Sequence, residues 1–346
     1  MTRPAAGARL RAAAVLPLTG RYAFGGVQAA GGLRAWAAAA DVRLRVEDCG
    51  DDPGAAARLA RELGGAADVL FGPYGSGLAR AAADALAGSP VVMWNHGAAA
   101  VPRAGARVVD VLAPADRYWS GLPAALDDPG VLAAAAVLAA PTPFGRAVAG
   151  GALRAITRAG RVPLAVADLR PHEARGLVEE VRAAGARLVI GCGRLEDDLA
   201  LGAALAGGDE VVALVACGVR QAADALGDGV LGWLGPSQWP PEAAPPPVPL
   251  PAGSGYPAAQ ALAAGLVAAQ AVARAGSAEP DALWDAARRL RTITFLGPFA
   301  VDAEGRQTAA TPALVRWERS AGDLVMRTVW RPHVRADGGA EGAART

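Results

Sequence analysis

Lysine is absent from this chain, and all 34 basic residues are arginine. Together with an excess of alanine this reads as a high-GC coding bias, so alanine runs weigh less as helix signals than their propensity suggests. Cysteine is scarce too. Cys49, Cys192 and Cys217 fall in no Cys-x-x-Cys or Cys/His ligand spacing, which gives no support to a zinc or redox motif and leaves at least one thiol without a disulfide partner. Charges of the two signs nearly cancel, at a net +1 with no basic stripe, so nucleic acid is not an expected partner. No charge-free apolar run of membrane-spanning length is read, Val131 to Ala140 being too short. A leader with an apolar stretch and a cleavage site is not recognised before the first strand pattern at Arg9 to Leu16. On that reading the protein is extracytoplasmic if a signal peptide was trimmed, and cytoplasmic if Met1 is the native start.

Catalytic signatures are missing as well. There is no Gly-x-Ser-x-Gly, no P-loop and no paired metal ligands, and Gly72-x-x-Gly-x-Gly77 has its glycines in the wrong order for a dinucleotide fingerprint. Neither an enzyme nor a cofactor nor a metal is expected.

What is present is a repeating grammar of buried strand, small-residue turn and helix. A length of 346 residues predicts roughly two domains. Strand patterns at Ala12–Leu16, Val42–Glu47 and Asp68–Phe71 are each followed by a turn and a helix, with Asp51 or Asp52 placed to cap the second helix. Pro90–Trp94 follows, ending in Asn95, His96, Gly97, Ala98 and Ala99. The grammar restarts after Pro114, with strands at Val131–Leu138, Val162–Val166, Arg187–Gly191 and Val211–Ala216. Alternating strands and helices imply parallel sheets covered on both faces, and two similar α/β domains facing each other would make a cleft. From Trp233 to Gly255 prolines interrupt the pattern and predict a stiff crossover. Helices at Tyr256–Ala275 and Pro280–Leu290 come next. Strands Pro298–Asp302 and Ala313–Trp317 are read as a hairpin turning at Asp302–Gly305.

The motifs Pro17-Leu-Thr-Gly20, Gly72-Pro-Tyr-Gly-Ser76, Phe144-Gly145 and Tyr256-Pro-Ala-Ala, in this order, resemble those of the type I periplasmic binding proteins of the Leu/Ile/Val-binding family, which take branched-chain amino acids and amides. The resemblance is carried by Pro17-Leu-Thr-Gly20 with Gly25 and Gly31 or Gly32, by the turn from Glu47 to Pro53, and by Gly72-Pro-Tyr-Gly-Ser76. It continues through Phe144-Gly145, Tyr256-Pro-Ala-Ala, and Gly297-Pro-Phe with Asp302-Ala-Glu-Gly305. No one of these is specific, but their order spans about 290 residues. The resemblance implies an α/β fold of two Rossmann-like lobes with parallel sheets, joined by three crossovers. Residues 8–115 and 244–299 would form one lobe, 116–243 and 300–334 the other, and 335–346 a disordered tail. A ligand gripped between closing lobes, with an ABC permease as partner, is the function it implies. A ligand-sensing regulator of the amide-sensor type would use the same cleft.

The resemblance also implies that Ser76 and the backbone of Gly97 and Ala98 hold the carboxylate or amide end of the ligand. A serine where a helix opens, beside free N–H groups, suits an anion; a plain N-cap is the other reading. Ala99 stands where amino-acid binders usually offer threonine. Arg194 and Cys217 stand where an aromatic and a carboxylate often meet the ammonium. Arg194 either points at an anionic ligand or lies on the rim paired with Glu196 or Asp197, and Glu196 is either a countercharge or a solvated first-turn residue. His96 is either a ligand contact or a turn histidine satisfied by backbone. Tyr22, Phe24, Tyr74, Trp94, Phe144 and Trp239 are the candidate aromatic walls, Tyr22 and Phe144 foremost. A small amino acid, amide or carboxylate is the expected ligand.

Overall fold

Short aliphatic runs recur along the chain, and most become strands buried on both faces. The computed structural model describes residues 9–99, 101 and 105–332. In chain order it runs β1 (Arg11–Leu16), α1 (Ala23–Ala39), β2 (Arg43–Asp48), α2 (Pro53–Gly64), β3 (Val69–Phe71), α3 (Ser76–Ala85), β4 (Val92–Asn95) and β5 (Arg107–Asp110). Then follow α4 (Leu122–Ala125), β6 (Ala135–Ala139), α5 (Pro143–Arg158), β7 (Ala165–Asp168), α6 (Ala174–Ala183), β8 (Leu188–Cys192), α7 (Leu195–Leu205), β9 (Val211–Leu214), α8 (Arg220–Leu226) and β10 (Leu234–Ser237). The chain closes with α9 (Tyr256–Ala275), α10 (Pro280–Arg289), β11 (Arg291–Thr294), β12 (Gly297–Ala300), β13 (Ala313–Ser320) and β14 (Asp323–Trp330).

These elements divide into two compact units, residues 1–112 with 244–310 and residues 113–243 with 311–346. The first is built on a parallel sheet of order β2-β1-β3-β4-β5. Alternation along β1 decides its two layers. Ala12, Ala14 and Leu16 pack with α1 and α9, while Ala13 and Val15 pack with α2 and α3. Glycine lets α1 and α9 touch: a Cβ on Gly32 would stand 2.1 Å from the Ala258 carbonyl oxygen, and one on Gly265 would enter the Trp36 ring. By length and composition α9 could cross a membrane, and Tyr256 to Ala273 contains no charged residue. This corrects the sequence reading that no such run exists. The helix is mostly buried inside the first unit, as a core helix is.

The second unit carries a seven-stranded sheet of order β14-β13-β10-β9-β8-β6-β7, parallel from β10 to β7 and antiparallel at β13 and β14. Several expectations are corrected here. The strand expected at Val131–Leu138 starts only at Ala135, because Asp128 accepts from the Gly130 N–H at 2.8 Å and opens a 3₁₀ turn over Pro129–Ala134. The stretch expected to stay out of a sheet contains β10, with Pro236 opposite Leu314. Its ladder with β9 is the single pair Leu234–Ala213, so the missing Pro236 N–H interrupts nothing on that side. Strands 298–302 and 313–317 do not pair with each other. β12 pairs with β11, and β13 with β10 and β14.

The passages between units lie at 112/113, 243/244 and 310/311, where the expected spans ended at 115, 243 and 299, and two side-chain amides, Gln307 buried and Gln238 half-buried, hold the backbone at the first and third. Gln238 accepts from the Ala113 N–H at 3.0 Å and donates to its carbonyl at 3.2 Å, which draws Ala113 into the second unit. Gln307 accepts from Ala300 and Ala309 and donates to the Val111 carbonyl, while the Asp110 N–H donates to Gly305, keeping residues 300–310 in the first. The expected tail at 335–346 lies outside the described residues.

Candidate functional site

In the first unit the turns after β1, β2, β3 and β4 all leave the same edge of the sheet, the carboxyl ends of its strands, where open α/β sheets take ligands. Acidic tips pin these turns. Asp48 accepts from the N–H groups of Leu18 and Gly50 and from the Thr19 hydroxyl at 2.7–2.8 Å. Asp51 accepts from the Arg21 and Tyr22 N–H groups, and Asp52 caps α2 through the Gly54 N–H. The backbone so fixed carries Tyr22 to the turn after β3, where its ring lies 3.7 Å from the Cβ position of Gly75, with the Arg21 guanidinium 4.6 Å from its centroid.

The β3 turn ends at Gly75, whose φ of +99° favours glycine. Its N–H donates to the Gly97 carbonyl at 2.9 Å, joining the β3 and β4 turns. Ser76 follows as the first residue of α3, half-buried. Among the described residues its hydroxyl has no partner, nor do the N–H groups of Ser76, Gly77 and Leu78, the ordinary state of a helix's first turn. Ser76 is therefore not the N-cap; Gly75 is. Tyr74 wedges its ring against Gly25 and Gly97 and shares a hydrogen bond between its hydroxyl and that of Tyr256, at the start of α9. Burial of the Tyr256 hydroxyl, followed by the nearby Tyr74, pushes its pKa well up.

Ala98 corrects the sequence reading. Asn95, the chain's only asparagine and fully buried, accepts from the N–H of Ala98 at 3.0 Å and of Gly97 at 3.3 Å. Its amide nitrogen donates to the Ala98 carbonyl and to Asp110, each at 2.7 Å. Both backbone groups of Ala98 are thus taken internally, and Gly97 is occupied by Asn95 and Gly75. Ala99 is half-buried beside them. Trp94 is fully buried, whereas Phe24 is 53% exposed.

His96 is fully buried, and among the described residues neither ring nitrogen has a hydrogen-bond partner, so it is not the backbone-satisfied turn histidine. Burial drives its pKa down to about 4, with the Gly72 backbone opposing weakly without reaching hydrogen-bond geometry. The ring is neutral at pH 7.

The second unit has its own strand-end cluster. Thr142 caps α5 through the Gly145 N–H at 3.0 Å and presents Phe144, which meets Tyr118 edge-on with centroids 5.9 Å apart. The Tyr118 hydroxyl accepts from Gln238 at 2.8 Å, and Trp239 is half-buried next in sequence. Arg194 takes the paired alternative: it contacts Asp197 at 2.9 and 3.1 Å and Glu196 at 3.1 Å, closing the first turn of α7 as a capping box. Glu196 is thereby engaged as well. Cys217 is packed in the core, its thiol pushed up by burial and then by Asp198, so it offers nothing to a ligand. Asp198 is fully buried and ties β8 to β9 by accepting from Gly193 and Ala216 at 2.9 Å. Burial raises its pKa to about 7 against those two donors. Arg117, half-buried near Tyr118 in sequence, has its guanidinium pKa lowered by desolvation.

Tyr22, Tyr74, Ser76 and Gly97 are therefore brought together within the first unit, and Phe144 stands with Tyr118 in the second. Sequence reading missed Asn95, Tyr118, Gln238 and the ring of Tyr256. Their signal lies in pairings across distant segments. Among the described residues no cluster of acidic, histidine and cysteine side chains is arranged to hold a metal ion.

Comparison with known proteins places these observations. Residues 9–323 match the family described as periplasmic binding protein. A leucine binding protein from Thermotoga maritima superposes with a TM-score of 0.76 at 17% identity, over 92% of this chain and 98% of that one. An ABC transporter solute binding protein from Rhodopseudomonas palustris, solved with p-hydroxybenzoic acid, gives 0.76 at 16% identity over 93% and 96%. A second from that species, with 3,4-dihydroxybenzoic acid, gives 0.73 at 14% over 93% and 98%. Comparison with curated proteins gives no match.

Proposed function

Since this chain belongs to the periplasmic binding protein family, we propose that it is a solute-binding protein of an ABC importer that takes a small organic acid lacking an α-ammonium group. One observation carries the choice of ligand. The hydroxyl of Ser76 and the first N–H groups of α3 stand unpaired among the described residues, while the acidic groups at the strand-end turns are engaged. Asp48, Asp51 and Asp52 hold backbone, Asp110 holds Asn95, and Asp197 and Glu196 hold Arg194. Asp198 is buried against two N–H donors, and Asp168, the last residue of the edge strand β7, is the exposed exception. A carboxylate finds a helix N-terminus and a hydroxyl, a favourable arrangement for an anion. An ammonium group finds no countercharge near them, and burying it unpaired is costly.

Tyr22 and Tyr74 supply apolar faces beside that anion position, which suits an acid with an aromatic or aliphatic body. The relatives solved with hydroxybenzoic acids make such acids sensible probes. A thermal-shift panel of benzoate, 4-hydroxybenzoate, 3,4-dihydroxybenzoate, 4-methylpentanoate, its amide, and leucine tests the proposal. At 100 times the dissociation constant a ligand stabilises by about 2.7 kcal/mol. Stabilisation by one or more acids, with none from leucine or the amide, is the expected pattern. A response to leucine alone would overturn the ligand class, and the permease partnership is tested separately by co-purification with the transporter.

A further inference from the structure

Among the described residues, five side chains of the first unit have buried polar atoms without a partner, Trp36, Trp94, His96, Gln260 and Arg288, and the register places Trp94, His96 and Gln260 in one layer. Val92 and Trp94 point from β4 to the face that packs on α1 and α9. Strand alternation puts His96, two residues past Trp94, toward that same face. Gln260 sits one turn into α9, on the layer that covers this face, and is 1% exposed. Among the described residues, neither nitrogen of His96, neither polar atom of the Gln260 amide, nor Nε1 of Trp94 has a hydrogen-bond partner. Orphaned groups of this kind destabilise a fold. An apolar layer that retains so many is paying for something other than its own stability.

We propose that His96, Gln260 and Trp94 form a subsite that receives an uncharged oxygen, a hydroxyl or carbonyl, of the ligand whose carboxylate is held at Ser76. This rests on the proposed acid binding. Two features select the chemistry. A neutral imidazole, a carboxamide and an indole N–H together offer four donors and two acceptor atoms, an excess of donors that fits an oxygen. None of the three carries a charge, so a second carboxylate there would be buried uncompensated. Position selects the ligand's size. The Gly75 N–H to Gly97 carbonyl bond joins the two turns that carry Ser76 and His96, and the proposal therefore requires one small molecule that spans them. The turn beside His96 has Gly97 and Ala99 half-buried on either side of buried Ala98.

The test uses full-length protein stripped of bound ligand by unfolding and refolding, as wild type, Gln260→Met, His96→Leu and His96→Gln. Two readings are taken: the melting temperature without ligand, and calorimetric affinity for 4-hydroxybenzoate against benzoate and for lactate against propionate. Removing an orphaned polar group from an empty subsite raises the ligand-free melting temperature, by about 2–8 °C in Gln260→Met and His96→Leu. The same variants lose tenfold or more in affinity for the hydroxylated member of the preferred pair and little for its partner, while His96→Gln keeps the preference. A melting temperature that stays level or falls in both apolar variants overturns the subsite, since the groups are then satisfied by internal water. Equal affinity losses within a pair overturn the oxygen specificity. If no acid binds wild type, acid binding at Ser76 fails for these probes, and the melting temperatures alone decide whether the groups are satisfied in the unliganded fold.

Discussion

At the residue scale, Asn95 and His96 are neighbours with opposite fates. The Asn95 amide satisfies four partners in a fully buried position, and its removal strands the N–H and carbonyl of Ala98. Asn95→Ala is expected to destabilise the protein by about 1–3 kcal/mol for each buried group left unpaired. Urea unfolding of the variant measures it, and an unchanged midpoint would show that the turn does not depend on that amide. His96 titrates instead of bonding. Its folded pKa, about 4, lies below the ordinary 6.5, so the unfolded chain binds the proton more tightly. Its contribution is intact above pH 6.5 and is lost as pH falls toward 4, by about 3 kcal/mol in all. Comparing wild type with His96→Leu at pH 7.5 and pH 4.5 isolates this: the substitution is expected to remove that part of the acid sensitivity. Equal sensitivity in the two proteins would place the titration elsewhere.

At the element scale, α1 and α9 are joined through glycine rather than through large side chains. Gly32 faces the Ala258 carbonyl at a distance no Cβ can occupy, so Gly32→Ala must push the helices apart. Overpacking of this sort costs about 1–3 kcal/mol, and a lowered melting temperature is the expected reading; an unchanged one would mean that the interface gives without loss. This packing was only partly legible in the sequence. Tyr256–Ala275 stands out as a helix because its apolar residues are long-range and continuous and Gly276 stops it with a left-handed φ of +62°. Gly32 gives no such signal, since its requirement lies on another helix more than 200 positions away. β14 escaped for a different reason. Its residues are mostly half-buried on both faces, so alternation is too weak to mark a strand. In the candidate site, Ser76 is picked out in the sequence by the family resemblance, and Tyr22 and Tyr74 by their places in strand-to-helix turns. Asn95 is not, because its role needs Asp110 on β5, a strand with no mark of its own in the sequence reading.

At the scale of the whole molecule, the chain passes between its two units three times, and side-chain amides hold the backbone at the first and third of these passages. Gln238 and Gln307 hold backbone 125 and 196 positions away, which is why the boundaries shifted from those read in the proline pattern. Family membership rests on residues 9–323, and the ligand rests on which polar groups the fold leaves open. That central claim is tested most directly by calorimetry on wild type and Ser76→Ala with the acid selected by the thermal-shift panel and with its amide. A hydrogen bond to a charged group is worth about 1.5–3 kcal/mol, so Ser76→Ala is predicted to weaken the acid by about 10- to 150-fold. The amide, bound poorly by wild type, is predicted to change little. Unchanged affinity for the acid in Ser76→Ala would contradict the account.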